Sequence, residues 1–161
     1  MNRIFYFLLI SFLIFGCKKD NTSLVNKAYD LEQRGEFEKA IVILTEAIKI
    51  NPMDLDCYNN RAWDYYDIGD NKSALKDFEE MLKIDSINTA AIYGIGFINY
   101  KEEKYRIAID HFNRVIEIED DKPKFIFRKL GEEEKEVPFG ADMKKVYHFK
   151  SLAQKELSKK D

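Results

Sequence analysis

A chain of 161 residues with 26 Lys and Arg against 29 Asp and Glu has a formal net charge of −3, and 34% of its residues are charged. This bounds it to one mildly acidic domain with some attached segment, and excludes the basic surplus of a bulk nucleic-acid binder.

The attached segment comes first. Arg3 supplies a short positive start, residues 4–15 are apolar except for Ser11, and Gly16-Cys17 follows. A dozen apolar residues make only about 18 Å of helix, short of a hydrocarbon core of about 30 Å. A signal peptide therefore fits residues 1–17 better than a spanning helix, with an uncleaved hydrophobic anchor as the alternative. Ile14-Phe15-Gly16-Cys17 resembles the lipobox of bacterial lipoproteins, with Phe15 bulkier than usual at its site. The resemblance implies a mature chain starting at Cys17, with diacylglycerol on its sulfur and an acyl chain such as palmitate on its amine. It also implies a place in the bacterial cell envelope, anchored by lipid to a membrane. Cys57 then has no disulfide partner, and near a helix start it reads as a small buried hydrophobe. A polar tether covers 18–22. Six extended residues from Lys18 span roughly 20 Å, which keeps the domain near the membrane surface. Thr22 or Ser23 can cap the helix that follows.

From there the helices read in pairs, at about 23–34 and 37–50, 54–68 and 71–84, 88–102 and 105–118. Gly35-Glu36-Phe37-Glu38-Lys39-Ala40-Ile41 returns as Gly69-Asp70-Asn71-Lys72-Ser73-Ala74-Leu75 and as Glu103-Lys104-Tyr105-Arg106-Ile107-Ala108-Ile109, offset by 34 residues each time. A fixed period of this size marks a repeat array, in which a unit buries its apolar face only by stacking on its neighbours. Gly35 and Gly69 suit the left-handed turn within each pair, whereas Glu103 lacks that freedom, so the third turn is expected to be tighter, differently shaped or strained. Asn51-Pro52 ends the first pair. Asp85-Ser86 and Asp120-Asp121 end the second and third. Leu44, Ala47, Ile48 and Ile50 form an apolar stripe repeated by Phe78, Met81, Leu82 and Ile84 and by Phe112, Val115, Ile116 and Ile118, which reads as core.

Within these copies, Tyr58-x2-Arg61-Ala62-x2-Tyr65 with Ala74-x3-Phe78 resembles the tetratricopeptide repeat, as do Leu24-x2-Lys27-Ala28-x2-Leu31 with Ala40-x3-Leu44 and Pro52, and Ile92-x2-Ile95-Gly96-x2-Asn99 with Ala108-x3-Phe112. The departures are Lys27 and Arg61 at a Leu slot, Asn99 at a Tyr slot, and Ser86 and Asp120 where Pro would fall. The resemblance implies an all-α fold: a right-handed superhelical stack of three helix pairs (21–54, 55–88 and 89–122) over about 23–122. After Lys122, Pro123, Gly131, Pro138 and Gly140 punctuate an insertion at 123–140, a loop or a short hairpin. Helical spacing resumes in 141–161 through Val146, Phe149, Ala153 and Leu157, as a helix capping the open end of the stack.

Catalytic chemistry finds no foothold in this pattern. His111 and His148 stand without a Cys, His or carboxylate cluster at metal-ligand spacing, and there is no phosphate loop or nucleophile motif. The chain is expected to be no enzyme, to hold no metal or cofactor, and to take no small-molecule substrate. The better candidate is a surface. In tetratricopeptide folds the first helix of each pair lines a concave groove, which here implies Tyr29, Trp63 and Phe97, with Glu32, Tyr66 and Tyr100 one turn on and Val25, Asn59 and Tyr93 one turn back. Aromatic rings at the array period, fringed by Glu32, Asp56 and Asp67, suit a peptide or protein partner with apolar and basic side chains. The groove set is thus Tyr29, Glu32, Asn59, Trp63, Tyr66, Tyr93, Phe97 and Tyr100. Chaperone-binding members clamp a terminal carboxylate with Lys, Asn and Arg; at those sites this chain has Val25, Tyr29, Asn60, Ala90 and Gly94, of which only Asn60 matches. The competing reading has the rings packing on neighbouring helices, in a structural subunit of an envelope complex that uses its convex face or the 123–140 insertion.

Overall fold

Three helical hairpins and a final helix follow one another in chain order, each element resting on the one before it. The structure, a computed structural model, describes residues 20–121 and 142–160. The signal-like segment with Cys17, the first two tether residues and the expected insertion at 123–140 lie outside the described residues. The hairpins are α1 (Thr22–Glu32) with α2 (Phe37–Ile50), α3 (Leu55–Asp67) with α4 (Asn71–Ile84), and α5 (Thr89–Lys101) with α6 (Tyr105–Asp121), followed by α7 (Met143–Leu157). The described residues contain no strand, and none of their helices is long and apolar enough to cross a membrane. The result is the expected all-α superhelical stack.

The turn inside each hairpin has one shape in all three copies. Gly35, Gly69 and Glu103 take φ of +70°, +85° and +60°. Each amide donates to the carbonyl three residues back, and the next amide reaches five back: Glu36 to Leu31, Asp70 to Tyr65 and Lys104 to Asn99. These bonds satisfy carbonyls that the first helix would otherwise leave open. Glu103 thus keeps the shared geometry and accepts the strain of a left-handed conformation that glycine avoids.

Helix boundaries differ from the sequence expectation in two places. Thr22 and Ser23 lie inside α1, whose N-cap is Asn21, and Asp20 accepts from the Thr22 amide at 2.9 Å. The last helix of the third pair is longer than expected, reaching Asp121 where about 118 was expected, so Asp120 and Asp121 form its final residues. Asp54, Asp70, Asn88 and Asp142 cap α3, α4, α5 and α7 through side-chain oxygens that accept from first-turn amides.

The small residues sit where helices approach most closely. Ala28, Ala40, Ala62, Ala74 and Ala108 are fully buried, as are Leu44, Phe78 and Phe112 from the repeated stripe. Gly94 is the most closely covered of the described glycines: an added Cβ would lie within 3.0 Å of three ring carbons of Phe78. Val146 of α7 is buried with Ile92, Ala108, Phe112 and Val115, so the final helix continues the apolar interior of the third hairpin. Cys57 is fully buried and its thiol accepts from Asn21 Nδ2 at 3.3 Å. Burial, with Asp54 beside it, pushes that thiol up to about 12, which suppresses the reactive thiolate.

Candidate functional site

The first helices α3 and α5 touch, and α5 touches α7. The residues one place after the buried Ala62 and Gly96 therefore meet across the helix boundary. Trp63 and Phe97 pack edge to face with centroids 5.7 Å apart. Tyr66 adds contacts of 5.9 Å to Trp63 and 5.4 Å to Phe97. Tyr93 lies stacked at 6.1 Å on Phe97. Such pairs add about 0.5–1.5 kcal/mol each beyond their area burial.

The ladder is consequently a continuous aromatic wall of half-buried rings. Trp63 also reaches the core, 5.4 Å from Phe78. Burial, with Asp142 nearby, pushes the Tyr93 phenol up to about 12, and burial with Asp67 raises Tyr66. At the far end α7 inserts Phe149, 5.0 Å from Phe97 and 5.4 Å from Tyr100. Phe149 thus joins the wall as well as capping the stack, which its spacing within α7 could not indicate. Lys101 lies 5.7 Å over the Phe97 ring. Asn59 is half-buried, whereas Tyr29 on α1 is the open member at 56% exposed.

At the α1 end the groove turns acidic. Asp64, adjacent to Trp63, is only 3% exposed, and neither its Oδ2 nor Glu32 Oε1 has a hydrogen-bond partner among the described residues. Burial first, then the charges of Glu32 and Asp67, push Asp64 up to about 7. Burial also raises Glu32. Glu32 is therefore part of a desolvated carboxylate pair, not an exposed fringe, while Asp56 and Asp67 remain exposed. Sequence reasoning passed over Asp64. The available signal was its register, since the residue one period later is Ile98, which is fully buried.

The two histidines stand apart from this groove chemistry. His111 Nδ1 lies 2.9 Å from the Ile107 carbonyl within its own helix, and His148 is exposed with its ring 5.3 Å from Phe149. Among the described residues, no three His, Cys, Asp or Glu side chains are placed to hold a metal ion.

Comparison with known proteins supplies a frame for this geometry. Residues 22–53 and 55–84 each match a model described as tetratricopeptide repeat. The chain is 31% identical over 110 residues to small glutamine-rich tetratricopeptide repeat-containing protein 2 of Saccharomyces cerevisiae, covering 64% of this chain and 32% of that one. It spans about a third or less of the length of the curated relatives it matches. Among solved structures, the first tetratricopeptide domain of Spaghetti (RPAP3) bound to the HSP90 peptide SRMEEVD superposes with a TM-score of 0.68 at 17% identity, over 89% of this chain and 99% of that one. The Yersinia enterocolitica type III secretion chaperone SycD, in complex with a peptide of the translocator YopD, gives 0.66 at 13%, over 86% and 93%. At such identities the likeness is one of fold. With the 34-residue period, the shared turn and the paired helices, it gives the stack the superhelical fold of tetratricopeptide-repeat domains.

Proposed function

We propose that this chain is a protein-interaction module that holds a peptide segment of a partner along the concave aromatic wall of α3, α5 and α7, with α1 as its open edge. The observation that carries the reading is that Trp63, Tyr66, Tyr93, Phe97 and Phe149 pack on neighbouring helices yet stay half-buried, which leaves one joined aromatic surface open, with Trp63 and Phe97 one period apart. Rings of this kind give large contact area at low conformational cost. Two fold neighbours were solved with peptides, which supports the use of such a fold for this purpose.

A partner's acidic C-terminus is not the expected ligand. Val25 and Tyr29 supply no positive charge where the chaperone-binding clamp would need it, and Phe78 fills the space a side chain at 94 would need. In this proposal the module works at a membrane of the bacterial cell envelope, held by a lipid on Cys17, a reading supported by the signal-like segment and lipobox-like motif.

The test is selection of a library of N-acetylated, C-amidated peptides on the full chain, read by the fluorescence of Trp63, the single tryptophan. Binders weakened by Tyr29→Ala/Tyr66→Ala support the groove. Binders indifferent to those changes, or a library that yields none, put the structural-subunit reading ahead.

A further inference from the structure

The acidic end of the groove is built at an electrostatic cost that nothing within the described fold repays. Glu32 is the last residue of α1 and Asp67 the last of α3. Asp64 therefore lies beside two helix C-termini, the negative ends of the α1 and α3 dipoles. Every charge acting on Asp64 from these two helices is negative: Glu32 from α1 and Asp67 from α3. The neighbouring cations are engaged elsewhere. Arg34 donates to the Asp30 carbonyl at 3.0 Å and pairs with Glu36 at 3.6 Å, and Arg61 is committed to Asp77 at 2.7 Å. Asp64 Oδ2 and Glu32 Oε1 are left buried without a partner. Leaving a buried acceptor unpaired is costly, and more so when it is charged.

We infer that this end of the groove is a subsite for one cationic side chain, a lysine or arginine of the bound peptide, received by Glu32 and Asp64 with its alkyl stem along Tyr29. The inference rests on the groove reading and adds the chemical class of the residue that enters it. An ammonium or guanidinium supplies donors to both orphaned oxygens and opposes the charge that α1, α3 and Asp67 concentrate there. A metal ion suits the site less well, because no trio of ligands converges among the described residues. The long apolar stem of either side chain is matched by the ring of Tyr29, one turn before Glu32 on α1 and exposed, which can take it while the head group stays polar.

The experiment uses the acetylated, amidated peptides selected on the full chain, so that no free N-terminal amine competes as the cation. Peptides that depend on Tyr29 and Tyr66 should carry Lys or Arg at one fixed position at neutral pH and low salt. Replacing that residue by norleucine should weaken binding to the wild-type chain by at least about tenfold, the scale of a charge-assisted hydrogen bond. On Glu32→Gln/Asp64→Asn the same replacement should weaken binding by less than about threefold. These substitutions keep side-chain shape and remove mutual repulsion, so the variant should melt no lower than wild type, and each single variant provides a second measurement. Groove-dependent peptides without a basic preference, or a norleucine penalty unchanged on the double variant, overturn the subsite and leave the groove standing. Peptides indifferent to Tyr29→Ala/Tyr66→Ala, or an empty selection, remove the groove reading, and the subsite goes with it.

Discussion

Arg61 on α3 grips Asp77 on α4 with two parallel hydrogen bonds of 2.7 Å, from Nε to Oδ2 and from Nη2 to Oδ1. Its third nitrogen, Nη1, donates to Thr45 Oγ1 of α2 at 2.9 Å, so one guanidinium ties three consecutive helices together. The side chains are 14% and 4% exposed, and the guanidinium also lies 5.7 Å from the Tyr58 ring and 5.9 Å from that of Tyr65. Arginine at a slot where the repeat pattern carries leucine is thus compensated by a buried carboxylate one helix away.

Breaking that pair should cost far more than removing it whole. Asp77→Ala strands a buried guanidinium and should destabilise the fold by about 3–5 kcal/mol, whereas Arg61→Leu/Asp77→Leu should recover most of that loss. Denaturant midpoints of the two variants and wild type check this. A double variant as unstable as Asp77→Ala would mean the pair is not the cause.

Glu103 offers an opportunity to stabilise the protein. It holds φ +60° in a turn whose other two copies use glycine. Glu103→Gly should remove about 1–2 kcal/mol of left-handed strain, offset by about 0.5–1 kcal/mol of extra backbone entropy. The lost ion pair with Lys160, at 2.9 Å and 54% and 69% exposed, is worth little. The thermal midpoint should rise by a few degrees, and a fall would contradict the shared-turn account.

The register of the stack can be tested by overpacking. Ala74→Leu should lower stability by roughly 1–3 kcal/mol because Ala74 has no exposed surface, whereas exposed Lys76→Leu should be nearly silent. Gly94→Ala should also destabilise despite the better helix propensity of alanine, because its methyl group meets the Phe78 ring. Thermal melts of the three variants measure the ordering.

Asp64 should make stability fall with pH. Its folded value of about 7 lies above the ordinary 3.8, so the folded state holds the proton more tightly than the unfolded state. The associated stabilisation is complete below about pH 4, declines as pH rises through about 7, and is then lost. Asp64→Asn removes this dependence, so its advantage over wild type should grow across that window to on the order of 4 kcal/mol at alkaline pH, at 1.36 kcal/mol per unit. Parallel pH–stability curves for the two proteins would show that Asp64 is not held protonated.

For the membrane tether, Cys17→Ser should abolish incorporation of a fatty-acid analogue and leave the precursor unprocessed or the domain released. Metabolic labelling followed by fractionation reads both. A wild-type chain that takes up no label removes the lipid anchor from the proposal.

The period, the six paired helices, the buried alanines and the repeated stripe were legible in the residues because each follows from local propensity multiplied by a regular offset. The expected ends lay within about two residues of the observed helices, except where α6 runs on to Asp121. The register of the first helices was legible for the same reason, and Trp63 and Phe97 meet as neighbours one period apart. What only the tertiary structure decided depends on which helices touch. The partner of Arg61 is 16 residues away on another face, so neither side chain alone announces the pair. Asp64 is ordinary in composition and unusual only because α1 brings Glu32 beside it while burial strips both of solvent. Phe149 enters the aromatic wall because α7 packs on α5 and α6 at the end of the stack, a contact that no periodicity crosses. Local pattern determines the elements and their faces; long-range packing determines which side chains end up facing one another without water between them.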